Sequence, residues 1–247
     1  MVKSPLSIDD FPEGFEARLA ANLQRCRDRI GAAARLTGRS EKEITLVTVT
    51  KYVDSEVMRV LYNLGVRDFG ENRTREAVEK CRALSNLAGA RIHFIGHLQR
   101  NKAKQTLEHC CSLHSLDSRR LLLEIEKRLE EPEASAAEIF VEVNLAGEDS
   151  KTGLPAGDLS SLLEGISECR NVRKRLKGLM TIPPYCDDPE RSRPFFAKLR
   201  ELRDQFIALE LLPPTAGLSM GMSSDYEVAI EEGATVIRVG STIYEQD

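Results

Sequence analysis

Ile44-Thr45-Leu46-Val47-Thr48-Val49-Thr50-Lys51 is the stretch on which the fold turns. Seven consecutive apolar or β-branched residues read as a strand buried on both faces, the mark of a parallel sheet covered by helices. The residue closing the run separates two architectures of that kind. A doubly wound dinucleotide-binding sheet places a glycine-rich turn after its first strand. This chain places a lysine there.

Upstream, Leu19, Leu23, Cys26, Ile30 and Ala34 recur at helical spacing. Downstream, Asp54 or Ser55 caps a helix carrying Val57, Val60, Leu61 and Leu64, which Gly65 stops. A strand at Val66–Phe69 follows, then a helix from Thr74 expected to bury Val78, Cys81 and Leu84. Further strands are predicted at Arg91–Ile95, Ser112–Leu116, Ile139–Asn144, Leu176–Ile182, Thr215–Leu218 and Ala234–Val239. Between them lie helices at Lys102–Leu107, after Asp117 or Ser118, at Leu159–Ile166 and at Phe195–Leu209, the last with its start blurred by Pro194. One more is opened by Ser224 with Glu227 at capping-box spacing and ended by Gly233. About eight strand–helix units in 247 residues match the size of a (β/α)8 barrel. The expected fold is therefore α/β, a single TIM barrel over residues 13–247, with an extra N-terminal helix and a flexible lead at residues 1–12.

Composition narrows the partners. With 35 Lys+Arg against 39 Asp+Glu, the chain lacks the basic field that a nucleic-acid or membrane-surface protein needs. No apolar run approaches the roughly 20 residues of a bilayer span, and the opening residues carry no export signal, so a cytoplasmic protein is expected. The six cysteines form no C-x-x-C pair and read as free thiols. His109-Cys110-Cys111-Ser112-Leu113-His114 lacks zinc spacing, so no metal is expected.

Barrel chemistry sits at the C-terminal ends of the strands. Here those ends hold Lys51, Asn72, His97, Asn144, Thr181, Ser219 and Arg238. An amine at the barrel mouth loses solvation and becomes nucleophilic, as a Schiff-base lysine requires. Leu218-Ser219-Met220-Gly221-Met222-Ser223 and Gly240-Ser241-Thr242 stand where this fold usually binds phosphate, with glycines and hydroxyls in place. Barrel closure lays the eighth strand beside the first, so that cup adjoins Lys51. The ligand implied carries a phosphate at one end and an aldehyde or ketone at the other. Pyridoxal 5′-phosphate (PLP) meets this description, and so does a phosphorylated sugar in a Schiff-base aldolase.

Two motif matches are rejected. Gly217-Leu218-Ser219-Met220-Gly221 has the G-x-S-x-G form of a nucleophile elbow, but every histidine precedes Ser219, the reverse of the hydrolase order. Lys151-Thr152-Gly153 has no S-x-x-K to accompany it. The basic stretch Arg170–Lys177 reads as a solvated helix end.

From Leu19 to Tyr244 the chain resembles the pyridoxal phosphate homeostasis protein family (the YggS/PROSC family). The resemblance is carried by Val47–Lys51, Phe69–Asn72, His93–Gln99 with Asn101-Lys102, Ser150–Gly153, Gly178–Pro183, Leu218–Ser223 with Asp225, and Arg238–Ser241. It implies a barrel like the N-terminal domain of alanine racemase, with PLP as cofactor and Lys51 as its Schiff-base lysine. By the same resemblance Ser219, Met220, Gly221, Gly240 and Ser241 would hold the phosphate, largely through backbone N–H groups. Arg238 would face the pyridine nitrogen, Asn72 would lie near the ring's polar edge, and Lys151 would be a secondary lysine near the entrance. The family commonly has Ser before the lysine and a second lysine soon after; Thr50 and Tyr52-Val53-Asp54 stand here instead.

An arginine at the pyridine nitrogen leaves that nitrogen unprotonated, which makes the ring a poor electron sink. Alanine racemase also takes one acid–base group from a second domain. The expectation is a PLP-binding protein that buffers or supplies the cofactor, with apo PLP-dependent enzymes as possible recipients and no catalytic residue of its own. A racemase-like PLP enzyme acting on amino acids is the alternative.

Overall fold

A computed structural model describes residues 6–11, 13–131, 137–147 and 152–245. Among these residues helix α1 (Phe15–Leu36) precedes strand β1 (Thr45–Val49). Alternation then runs through α2 (Ser55–Asn63), β2 (Asp68–Glu71), α3 (Thr74–Ala83), β3 (Arg91–Phe94), α4 (Ala103–His109), β4 (Ser112–Leu116), α5 (Arg119–Arg128) and β5 (Glu138–Asn144). Next come β6 (Leu154–Pro155), α6 (Leu159–Ser167), α7 (Arg170–Arg175), β7 (Leu176–Met180) and α8 (Arg193–Ala208). The chain finishes with β8 (Gly217–Ser219), α9 (Tyr226–Glu231), β9 (Val236–Val239) and α10 (Ser241–Tyr244). Strand order β4-β3-β2-β1-β9-β8-β7-β5 is closed by β4 pairing with β5, all in parallel. The expected barrel is what the chain forms, with β6 paired to β5 as an addition.

The two-residue period of the strands sorts side chains between two cores. Ile237 and Val239 of β9, Leu179 of β7, and Ile139, Val141 and Val143 of β5 face outward into the large apolar layer beneath the helices. Val47, Phe140, Met180 and Val236 form a small separate cluster. They share their strands' alternate positions with Arg238 and Glu142, which are buried. The barrel therefore has an apolar plug and a polar remainder inside, where the sequence suggested strands apolar on both faces.

Several local expectations are corrected. Helix α9 starts at Tyr226 with Asp225 as N-cap, and no capping box forms at Ser224. The Asp225 carboxylate accepts from the Met222 N–H instead, and Glu227 pairs with Arg29 of α1. On α3 the buried positions are Ala77 and Lys80, while Val78 is only half-buried. The basic stretch at Arg170 forms its own short helix, whose Asn171 and Val172 N–H groups are held by the Glu126 carboxylate. Lys151, Glu148, Asp149 and Ser150 lie outside the described residues.

The segment Leu6–Phe11, part of the lead set apart at residues 1–12, is laid against the barrel. The Leu6 N–H donates to the Tyr52 carbonyl (2.8 Å) and the Asp54 N–H to the Leu6 carbonyl (2.9 Å). Phe11 stacks on Phe15 at 3.7 Å between ring centroids. Helix α1 is tied to the chain's last helix through Asn22, whose amide donates to the Ile243 and Glu245 carbonyls. No helix among the described residues is long and apolar enough to cross a membrane.

Candidate functional site

Strand β1 pairs with β9 in a register that sets Val47 beside Arg238. Two residues further along each strand stand Val49 and Gly240, and here the backbones close in. A Cβ on Gly240 would lie 3.2 Å from the Val49 Cβ, so a side chain there would press on the end of β1. Lys51 follows directly, and Ser241 begins α10. These elements wall a cavity of about 840 Å³ whose lining includes Lys51, Arg238, Gly240, Ser241, Ser223 and Thr242. Lys51 is half-buried, with its Nζ 4.7 Å from the centroid of the neighbouring Tyr52 ring.

Of the eight predicted site residues, the structure thus brings Lys51, Arg238, Gly240 and Ser241 into one cavity. The other four stand elsewhere. Ser219 is fully buried, and its hydroxyl bonds to Arg238 and His114. The Met220 N–H is spent on the Val236 carbonyl, so that donor is used by the sheet. Gly221 is turned to α9: its φ is +94°, and a Cβ would sit 2.6 Å from the Ala229 Cβ. Asn72 is exposed at the end of β2, packed by its backbone against Gly96. The hydroxyl-bearing wall is built one turn later than expected, by Ser223 and Ser224 next to Met222. Tyr185, Tyr244, Leu6 and Phe11 complete it, and none of these four could be placed from local pattern.

The remaining strand-end candidates serve the frame. Asn144 accepts from the Ala146 and Gly147 N–H groups, and Thr181 donates to the Val143 carbonyl (2.8 Å). His97 pairs with Asp117 (3.1 Å) in a separate hollow of about 700 Å³.

Charge is arranged unusually inside the mouth. Arg238 is buried and donates to Ser219 Oγ (2.6 Å) and the Thr181 carbonyl (3.0 Å). Burial pulls its guanidinium down to about 10, against the opposing pull of Glu142 and Asp225. Burial also pushes the Glu142 carboxyl up, although the Thr152 hydroxyl donates to it. Tyr244, whose buried hydroxyl lacks a partner among the described residues, is pushed up by burial and by the nearby Glu71 carboxylate.

Beneath Lys51 lies a buried ion pair that sequence reading missed. Lys80 Nζ is 2.7 Å from Glu71 Oε1 and donates to the Thr50 carbonyl at 2.7 Å. Burial nonetheless pushes the Glu71 carboxyl up. The signal was available: Ala77, Lys80 and Leu84 share one helical face. A lysine on an apolar stripe, however, usually reads as a side chain that reaches out to water.

The serine–histidine contact that motif order argued against is present, with Ser219 Oγ 2.8 Å from His114 Nδ1. It makes no nucleophile, because the serine is wholly buried and already accepts from Arg238.

Residues 17–247 match the model of the alanine racemase N-terminal domain family. The pyridoxal phosphate homeostasis protein of Aquifex aeolicus is 43% identical over 222 residues, covering 90% of this chain and 95% of that protein. The Escherichia coli K12 protein of the same name is 35% identical, covering 92% and 95%. Among solved structures, PipY of Synechococcus elongatus PCC7942 with PLP bound superposes with a TM-score of 0.78 at 31% identity, covering 92% of this chain and all of that one. Alanine racemase of Clostridium difficile 630 shares the fold alone, with a TM-score of 0.70 at 15% identity over this whole chain and 63% of its own. The chain belongs to the pyridoxal phosphate homeostasis protein family, built on the alanine racemase N-terminal fold.

Proposed function

We propose that this protein binds PLP in the cavity at the β1–β9 seam and serves PLP homeostasis, holding and releasing the cofactor without turnover of its own. One observation carries the reading: a primary amine, Lys51, and a buried cation, Arg238, share a cavity walled by the hydroxyl-bearing turns after β8 and β9. The donor set suits a ligand with an aldehyde, a ring acceptor and a dianionic tail. When bound, PLP supplies an aldehyde that reacts reversibly with a primary amine.

Lys51 is the residue that would hold that aldehyde, at the corner fixed by Lys80 on the Thr50 carbonyl. Arg238 would donate to the ring nitrogen and, keeping its own proton, would leave that nitrogen unprotonated. Ser223, Ser224, Ser241 and Thr242 would meet the phosphate, with Ser223 Oγ itself held by the Gly240 N–H (3.1 Å). Leu6, Phe11 and Tyr185 would cover the apolar side and limit water. The names of the relatives support storage and supply over an amino-acid racemase. Apo PLP-dependent enzymes are the natural recipients, and six free thiols fit a cytoplasmic setting.

Wild-type protein mixed with PLP is expected to turn yellow, and borohydride is expected to fix a pyridoxyl mass on the Lys51 peptide. Lys51→Ala should lose the colour while unfolding within about 1 kcal/mol of wild type, as expected for a half-buried side chain outside the core. A wild type that takes up no PLP would overturn the reading. Exchange of the α-proton of L-amino acids by the PLP-loaded protein would favour the racemase-like alternative.

A further inference from the structure

Below Arg238 an unbroken row of polar groups crosses the inside of the barrel. Arg238 donates to Ser219 Oγ (2.6 Å), which bonds His114 Nδ1 (2.8 Å). His114 Nε2 meets His93 Nδ1 (3.2 Å), and His93 Nε2 meets Asp68 Oδ1 (2.7 Å). Arg91 closes the far end, with its Nε 2.7 Å from Asp68 Oδ1 and its terminal nitrogen donating to Asp68 Oδ2 (2.8 Å). His93, His114, Ser219 and Arg238 are all buried, and His114 stacks on Phe140 of the interior plug. Five strands contribute: β2, β3, β4, β8 and β9.

Counting donors gives the row a direction. An arginine can only donate and a carboxylate can only accept. Ser219 Oγ accepts from Arg238, so the serine's one proton goes to its other partner, His114 Nδ1. His114 then carries its proton on Nε2 and donates to His93 Nδ1. His93 in turn carries its proton on Nε2 and donates to Asp68. Both rings are neutral, and every proton has an acceptor. The opposite polarity requires an imidazolium at His93 and leaves the Ser219 proton with no acceptor among the described residues.

We infer that Ser219, His114 and His93 are positioning residues for Arg238, holding its guanidinium toward the cavity and away from the carboxylates beside it. Two of its five N–H donors are committed to Ser219 and the Thr181 carbonyl, which leaves three. Glu142 and Asp225 both attract this cation, as their raising effect on it attests. Without the serine, the guanidinium is free to turn toward Glu142 and withdraw donors from the ligand. A hydrogen-bonded row in a low-dielectric interior also polarises along its length, so the Asp68–Arg91 end supports the Arg238 end.

The ligand-binding half of the test rests on the PLP reading; the other half does not. In ligand-free protein labelled with 15N at histidine, NMR should show His93 and His114 as neutral rings with the proton on Nε2. His114 should stay so between about pH 6 and 8, where a free imidazole titrates. A proton on His114 Nδ1 would overturn the proposed polarity. In PLP titrations followed by the absorbance of the bound cofactor, Ser219→Ala should weaken affinity about tenfold or more and move the absorption band. Ser219→Thr, which keeps the hydroxyl, should restore both. His114→Gln, which can still accept from Ser219 and donate to His93, guards against a variant that merely misfolds. Wild-type affinity and an unmoved band in Ser219→Ala would overturn the positioning role. A wild type that binds no PLP would sink the function while the tautomer measurement still decides the row.

Discussion

Removing Lys80 is the sharpest test of how the corner at Thr50–Lys51 is held. Its side chain is 6% exposed and that of Glu71 is 0% exposed, with 2.7 Å between nitrogen and oxygen. At an effective dielectric of 20, two charges at that separation attract by about 6 kcal/mol. Taking both from water costs several kcal/mol per ion, so the pair adds little net stability. Deleting one member is another matter. In Lys80→Met, Glu71 keeps, among the described residues, only the Thr50 hydroxyl, its second oxygen having no partner among them already. A buried charge so stranded costs about 3–5 kcal/mol, and the melting temperature should fall by about 10 °C for a chain of this size. The double variant Lys80→Met with Glu71→Leu should recover at least half of the loss. The sign with pH also follows. Burial raises the Glu71 carboxyl in the folded protein, so its contribution is favourable at low pH and is lost as pH rises through the folded value. Lys80 is the main influence holding that carboxyl down, so its removal raises the carboxyl further and the variant loses more than wild type as pH rises. The deficit of Lys80→Met should therefore be larger at pH 8 than at pH 5, read by urea unfolding at both. A single variant within about 1 kcal/mol of wild type, or two losses that simply add, would refute the reasoning.

Gly221→Ala puts a methyl group 2.6 Å from the Ala229 Cβ and 2.9 Å from the Tyr226 Cα, at a φ of +94°. Overpacking and left-handed strain together should cost about 2–4 kcal/mol in denaturant unfolding; a loss below about 1 kcal/mol would mean that α9 shifts freely. Asp68 is pushed up by burial, but hydrogen bonds from His93 and Arg91 outweigh this and leave it below the ordinary 3.8. A lowered carboxyl stabilises above its unfolded value and loses that contribution as pH falls through the folded one. Asp68→Asn should accordingly cost about 1–3 kcal/mol at pH 7, and the gap from wild type should narrow below about pH 4. A gap that stays constant with pH would count against the ionised row.

Much of the barrel was legible because parallel strands announce themselves locally. Thr45–Val49 is an unbroken apolar and β-branched run, and β4 has the ends expected for it, Ser112 and Leu116. Lys51 and Gly240 could be brought together from closure alone, since β9 must lie beside β1. Ser219 was misplaced for a definite reason. A serine before Met-Gly at a strand end has the composition of an anion loop, yet the strand period turns its hydroxyl into the barrel. Its partner His114 lies 105 residues away, and only the registers around the sheet make them meet.

What the sequence settled by itself was the order of the strands, the helices between them, and an amine and a glycine–serine turn at neighbouring ends. These follow from propensities and periodicities that act within a few residues. What only the folded molecule decided was charge placement: Lys80 on Glu71 beneath the cavity, and Arg238 aimed by histidines from two other strands. A buried charge persists only where partners from distant segments satisfy it, and no local window contains those partners.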